Sequence, residues 1–186
     1  MPSYPNWFKQ VGADLNFSQF LTEMPAQPRF LQIGAFVGHA SEWLLRQFPE
    51  GVIFDVDTWE GSAEEAHEVF DWADVERSYD ERMAPYSDRV IKCKTTSDDF
   101  FAHNEALFDF IYIDGAHTAA QVLTDGIHAA RSLKPGGIIA FDDYTWGLSL
   151  PVADRPQAGI DIFLSQYRTQ CTLLEMGLQV WVRWTV

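Results

Sequence analysis

Three aspartates and a histidine carry the chemistry open to this sequence. Asp114 and His117 lie in the run Ile113-Asp114-Gly115-Ala116-His117, and Asp142 and Asp143 follow the run Ile138-Ile139-Ala140-Phe141. Carboxylates that converge repel one another unless a metal ion or a cationic ligand neutralises them. An imidazole beside them can exchange a proton near neutral pH. The plainer alternative is that the acids cap helices and solvate loops, and that His117 is a helix N-terminal residue bonded to a neighbour. What separates the alternatives is whether the chain brings the acids together.

The elements around them say that it does. Phe108 to Ile113 reads as a buried strand that stops at Asp114. Ala119, Val122, Leu123, Ile127, Ala130 and Leu133 then recur at helical spacing. Pro135, Gly136 and Gly137 are expected to end that helix and turn the chain into a second strand, Ile138 to Phe141. A strand, helix and strand in this order make parallel strands with a right-handed crossover. Both sets of acids therefore leave the sheet at its carboxyl edge, where open α/β sheets bind ligands.

Upstream the same grammar repeats. Phe30 to Ile33 is a short apolar strand, followed by the turn Gly34 to Gly38 and a helical pattern of Ala40, Trp43, Leu44 and Phe48. Such a turn either lets a ligand approach the backbone or merely permits tight bending. It lacks the glycine spacing of the dinucleotide fingerprint. Gly51 to Asp57 is a second strand, and an acid at its end suits ribose hydroxyls. Asp57 is the better placed, with Asp55 on the same face as the alternative. Trp59 either stacks on a flat ring or covers the core. Arg89 to Lys94 alternates as a third strand, after which Thr95, Thr96, Ser97 and Asp98 either cap a helix to Glu105 or meet a ligand base.

The remaining segments are expected to frame this edge. Residues 1 to 28 form an approach segment, with Leu15, Phe17, Phe20 and Leu21 on one face of a short helix and Trp7 and Phe8 as packing residues. Residues 62 to 88, with Ala63, Ala66, Val69, Phe70 and Ala73 at helical spacing, and residues 145 to 158 are expected to cover a substrate. A helix from Ile160 to Tyr167 and an antiparallel pair, Cys171 to Glu175 and Gln179 to Trp184, complete the chain. The 186 residues make one α/β domain.

Composition excludes several classes. The net charge of −14, with no Lys/Arg run, opposes nucleic acid and anionic lipid. No apolar run is long enough to span a bilayer and the first residues lack a signal-peptide layout. Two cysteines, Cys93 and Cys171, both expected in the core, fit a reducing cytoplasm. No feature specifies an oligomeric state.

Taken together, these motifs resemble class I S-adenosylmethionine-dependent methyltransferases, in particular the methyltransferase-24 family, and more distantly the cation-dependent O-methyltransferases. The resemblance rests on Gln32-Ile-Gly34-Ala-Phe-Val-Gly38, Asp57-Thr-Trp59, Ile113-Asp114-Gly115-Ala-His117 and Leu133-Lys-Pro-Gly-Gly-Ile-Ile-Ala-Phe-Asp142-Asp143-Tyr144, and spans about residues 28 to 185. It implies a Rossmann-like seven-stranded sheet in the order 3-2-1-4-5-7-6 with strand seven antiparallel and helices on both faces. It implies that Gln32, Gly34, Gly38, Asp57, Trp59, Ser97, Asp98 and Asp114 bind S-adenosylmethionine, and that Asp114, Asp142 and Asp143 hold a divalent cation, Mg²⁺ being the usual ion for oxygen ligands. Methyl transfer to a hydroxyl of a small-molecule acceptor follows, with Asp114 and His117 as catalytic residues. Gln32 stands where the family opens its first motif with an acid, which weakens the pull on the methionine ammonium. Ala116 stands where sugar O-methyltransferases carry an acid, which leaves His117 as proton acceptor. Transfer without a metal, and cofactor binding without turnover, are the competing readings.

Overall fold

The computed structural model describes residues 4–61 and 69–185. Its strands are β1 (Arg29–Ile33), β2 (Val52–Asp57), β3 (Val90–Lys94), β4 (Phe108–Ile113), β5 (Leu133–Phe141), β6 (Cys171–Met176) and β7 (Val180–Trp184). They form one sheet in the order β3-β2-β1-β4-β5-β7-β6, with β7 antiparallel to both its neighbours. This is the expected order. All six residues of β4 are buried, because the central strand is covered on both faces.

Helices α1 (Trp7–Gln10), α2 (Ala13–Phe20), α3 (His39–Gln47), α4 (Trp72–Met83), α5 (Ser97–His103), α6 (Ala119–Arg131) and α7 (Pro156–Tyr167) accompany the strands. The alternation along β4 separates two cores. Phe110 and Tyr112 face a cluster that includes Phe17 of α2 and Trp181 of β7, whereas Ile111 and Ile113 face Val122 and Ala129 of α6 and Phe163 of α7. Phe17 meets the rings of Phe110, Tyr112 and Trp181 edge-on at 5.1 to 5.4 Å, an arrangement that aligns ring edges with ring faces.

Several boundaries differ from the expected ones, each for a local reason. Gly12, at φ +75°, starts α2 at Ala13, so Ala13, Phe17 and Leu21 turn inward and Leu15 is 69% exposed. Of the stripe expected from Ala63 to Ala73, Val69, Phe70 and Ala73 fall within the described residues, where a helix begins at Trp72. The Asp71 carboxylate accepts from the N–H groups of Ala73 and Asp74, and Val75, Tyr79 and Met83 form the buried face. Val69 is exposed, and Ala63 and Ala66 lie outside the described residues. β5 begins at Leu133, before the Pro135-Gly136-Gly137 turn. Pairing passes from Phe108↔Leu133 to Phe110↔Ile138, and Gly136, at φ +79°, lies in the bulge. Pro156 at the first helical position starts α7 four residues early. Cys93 and Cys171 are free and only half-buried, because β3 and β6 are the sheet edges.

A polar chain crosses the aromatic core. Asn16 Nδ2 donates to Gln179 Oε1 at 2.9 Å, Gln179 Nε2 donates to the Tyr112 hydroxyl at 3.3 Å, and that hydroxyl donates to Asp142 Oδ2. It ties the N-terminal helix pair and the last strand to the end of β5. A second buried chain links Gln32, Ser41, Asp55 and Tyr79, beneath the first turn.

Candidate active site

Register fixes the floor of the site. Ile33, Ile113 and Phe141 are aligned across β1, β4 and β5, so Gly34, Asp114 and Asp142 leave the sheet at one level. Asp114 N donates to Ile33 O and Asp142 N to Ile113 O, extending the ladder by one step. Gly34 is required there twice over. Its φ is +87°, and a Cβ would lie 1.9 Å from the Asp114 carbonyl oxygen. Three non-glycine residues also hold positive φ at this edge: Phe36 (+49°) after β1, Trp59 (+49°) after β2 and Asp143 (+59°) after β5. Backbone strain of this kind gathers at ligand sites, where the surrounding structure over-determines it.

The edge opens into a cavity of about 620 Å³. The strand order arranges its lining. Thr95 to Asp98 follow β3, Asp57 and Thr58 follow β2, Gly34 and Phe36 follow β1, Asp114 to His117 follow β4, and Asp142, Asp143 and Trp146 follow β5. Five strands at ~4.8 Å spacing make this edge roughly 19 Å long. Trp7, Val11 and Trp72 also line the cavity, and Trp7 stacks on Phe36 at 4.8 Å. Six of the described lining residues are aspartates and none is Lys or Arg.

At the β4 and β5 end, Asp143 Oδ2 is 2.8 Å from His117 Nε2, and the His117 ring lies 4.4 Å from that of Trp146. Asp114, His117 and Asp143 each offer a ligand atom, all within 4.8 Å of one another. The set shares Asp114 and Asp143 with the expected trio and adds His117. Both oxygens of Asp142 are engaged, one by the Tyr112 hydroxyl and the other by the Asp143 N–H at 2.9 Å. Two carboxylates and one imidazole suit Mn²⁺, Fe²⁺ or Zn²⁺ as well as Mg²⁺. Burial, together with Asp142 and Asp143, pushes the Asp114 carboxyl well above its usual range, while burial and Asp143 push Asp142 up to about 6. A cation among them would reverse that strain.

At the other end, Thr96 caps α5 by accepting from Asp99 N, which leaves Ser97 and Asp98 lining the cavity. Asp57 lines it too, although its oxygens accept from the N–H groups of Phe36 and Trp59, both at 2.8 Å. Each oxygen retains a lone pair for a ligand hydroxyl. Burial raises its pKa, against the pull of those N–H groups.

Three expected cofactor contacts are not brought to the cavity. The Gln32 side chain is buried and bonded to Gly34 O and Ser41 Oγ, so it braces the first turn. Gly38 is the N-cap of α3, at φ +79°, close to Met83 and Tyr79. The Trp59 ring is 2% exposed, donates Nε1–H to Phe36 O, and lies against Tyr79 with Lys92 over its face at 4.7 Å. The ring covers the core, the second of its two readings. Conversely, Trp7, read as packing, is 38% exposed and reaches the cavity mouth. Gln121 and Asp125 of α6 line the cavity and were not anticipated. The available signal was an acid standing between Val122 and Ala129 on the buried face of a helix.

With this geometry in place, the comparisons are specific. A family model described as a methyltransferase domain matches residues 31–144, more than half the chain. The chain belongs to this family. The solved structures similar to this methyltransferase share its fold at low identity. The O-methyltransferase from Bacillus cereus in complex with SAH is 23% identical, with a TM-score of 0.62 over 95% of this chain and 88% of that one. The O-methyltransferase TomG from Streptomyces achromogenes, in complex with SAM, is 20% identical, with a TM-score of 0.60 over 87% and 75%. A putative rRNA-methylase from Clostridium thermocellum is 11% identical, with a TM-score of 0.69 over 98% and 100%. No curated protein matches the sequence. No helix among the described residues is long and apolar enough to cross a membrane.

Proposed function

We propose that this methyltransferase moves a methyl group from S-adenosylmethionine to a hydroxyl oxygen of a small acceptor. The carrying observation is that Gly34, Asp57 and Asp114, at the ends of adjacent strands, open on one cavity that continues to the His117–Asp143 pair. S-adenosylmethionine supplies a sulfonium methyl carbon open to in-line attack. Asp57 and the Ser97–Asp98 corner suit the nucleoside, and Gly34 lets the methionine part approach the backbone. His117, held by Asp143 at 2.8 Å, is the group read as taking the acceptor proton. Trp146, beside it, shields the reacting centre from water. The segments 62 to 88 and 145 to 158 are read as the acceptor's cover, within a single domain.

A metal-assisted version is favoured by one observation, the convergence of Asp114, His117 and Asp143. These residues would hold a divalent cation, which lowers the pKa of a bound hydroxyl; His117 would then be a ligand and not the base. The six aspartates and the net charge of −14 argue for a small neutral or cationic acceptor and against nucleic acid. The free thiols fit the cytoplasm. The test is calorimetric titration with S-adenosylhomocysteine in Mg²⁺, in Mn²⁺ and in EDTA, followed by turnover with hydroxylated acceptors. Saturable binding and turnover are expected; binding without turnover on any acceptor would favour a cofactor-binding protein. Absence of binding by folded protein would refute the reading.

A further inference from the structure

The nucleoside end of the cavity has more hydrogen-bond acceptors than donors. Asp125 is 1% exposed, yet it lines the cavity. Its Oδ1 accepts from Gln121 Nε2 at 3.1 Å, and its Oδ2 is the one buried side-chain oxygen among the described residues with no hydrogen-bond partner. The Gln121 amide also faces Ser97 Oγ at 3.2 Å and Asp98 Oδ1 at 3.3 Å. The Gln121 amide brings two N–H bonds and the Ser97 hydroxyl one O–H, which also bonds Asp125, against the oxygens of two carboxylates, Asp98 and Asp125. The rest of the buried face of α6 is Val122, Gly126, Ala129 and Ala130. A carboxylate adds nothing to that packing, and an unanswered buried acceptor is destabilising. Burial lifts Asp125 only to about 6, so near neutral pH it is ionised and acceptor-only.

We propose that Asp125 is the acceptor for the exocyclic amine of a bound aminopurine, and so sets the base preference of the methyl-donor site. The inference rests on the methyl-donor reading above and adds to it a residue outside the strand-end motifs. An uncharged amine brings two donors to a corner short of donors. An oxopurine brings a carbonyl oxygen to the same place, where it meets carboxylates. The nucleoside is thus read by α6 as well as by the loop after β3, with Gln121 holding the Asp125 carboxylate in position.

The test compares S-adenosylhomocysteine with S-inosylhomocysteine by calorimetry at pH 7.5, on the wild-type protein and on Asp125→Asn. The wild type is expected to prefer the adenosyl compound by tenfold or more, on the order of one charge-assisted hydrogen bond. In Asp125→Asn, where an N–H replaces one acceptor oxygen, the preference is expected to shrink about tenfold. An unchanged ratio, with the adenosyl compound still bound, overturns this inference and leaves the methyl-donor reading standing. Failure of wild type to bind either compound overturns both. Should Asp125→Asn not fold, a crystal structure of the wild-type complex decides the matter. The purine amine within about 3.2 Å of an Asp125 oxygen is the expected result, and an amine bonded elsewhere overturns the proposal.

Discussion

Replacing Asp55 by asparagine should make the protein more stable at pH 8 and hardly change it at pH 4. Asp55 sits on β2 with no exposed surface, and its two oxygens accept from Ser41 Oγ at 2.8 Å and Tyr79 Oη at 2.7 Å. Burial outweighs both bonds and raises its pKa from 3.8 to about 7. The folded state therefore holds this proton more tightly than the unfolded chain does. The contribution is fully present below about pH 4 and is lost as pH rises to about 7. At 1.36 kcal/mol per pH unit, a window of about three units amounts to about 4 kcal/mol. Asparagine has the same shape and no charge, and the Tyr79 hydroxyl can turn to accept its N–H. The assay is urea unfolding of both proteins at pH 4, 5, 6, 7 and 8, read as the difference between them, so that every other titrating group cancels. The difference should be near zero at pH 4 and grow to several kcal/mol in favour of Asp55→Asn by pH 8. A flat difference, or a variant less stable at pH 8, would show that the fold compensates the ionised carboxylate.

Other outcomes follow from the same geometry. Gly34→Ala should lower the thermal midpoint sharply or prevent folding, because its Cβ meets the Asp114 carbonyl and its φ is left-handed; circular dichroism melting reads this. Phe17→Ala should cost about 3–5 kcal/mol in chemical unfolding, since a fully buried ring shared by β4 and β7 is removed. Asp114→Asn should abolish methyl transfer while holding or raising the melting temperature at pH 8, because it removes a carboxyl group crowded by Asp142 and Asp143. His117→Gln should reduce turnover on the order of 10²-fold or more with little change in donor affinity, measured as kcat against the calorimetric dissociation constant.

Much of the fold was legible because burial and periodicity agree. β4 reads as a strand and is one, buried throughout and apolar but for Asp109 and the Tyr112 hydroxyl, and both acid-bearing strand ends meet at one edge. What failed was orientation. Leu15, and Val69 and Phe70 with Ala73, fit a helical period, but capping decides where a helix starts, and Gly12 and Asp71 set those points. Gln32 and Trp59 have side chains able to meet a ligand, yet each turns into the core, where Ser41 and Tyr79 lie. Those contacts arise only when the chain folds and leave no mark on the local periodicity. Asp125 is hidden for the opposite reason: it stands beside the apolar stripe of its helix and is buried with Val122 and Ala129, where periodicity alone marks no acid.

The chain of hydrogen bonds from Asn16 through Gln179 and Tyr112 to Asp142 has a consequence for the order of assembly. Asn16 and Gln179 are 163 positions apart, and β7 fills the place between β5 and β6. During synthesis, β5 therefore waits with one edge unpaired, and Tyr112 with one partner missing, until Gln179 and β7 have emerged. An unpaired apolar edge of this kind is where chains join one another, and closing so long a loop is slow. The active site can be completed only once the whole domain is free of the ribosome, so chains cut short before Gln179 should be both inactive and prone to aggregate.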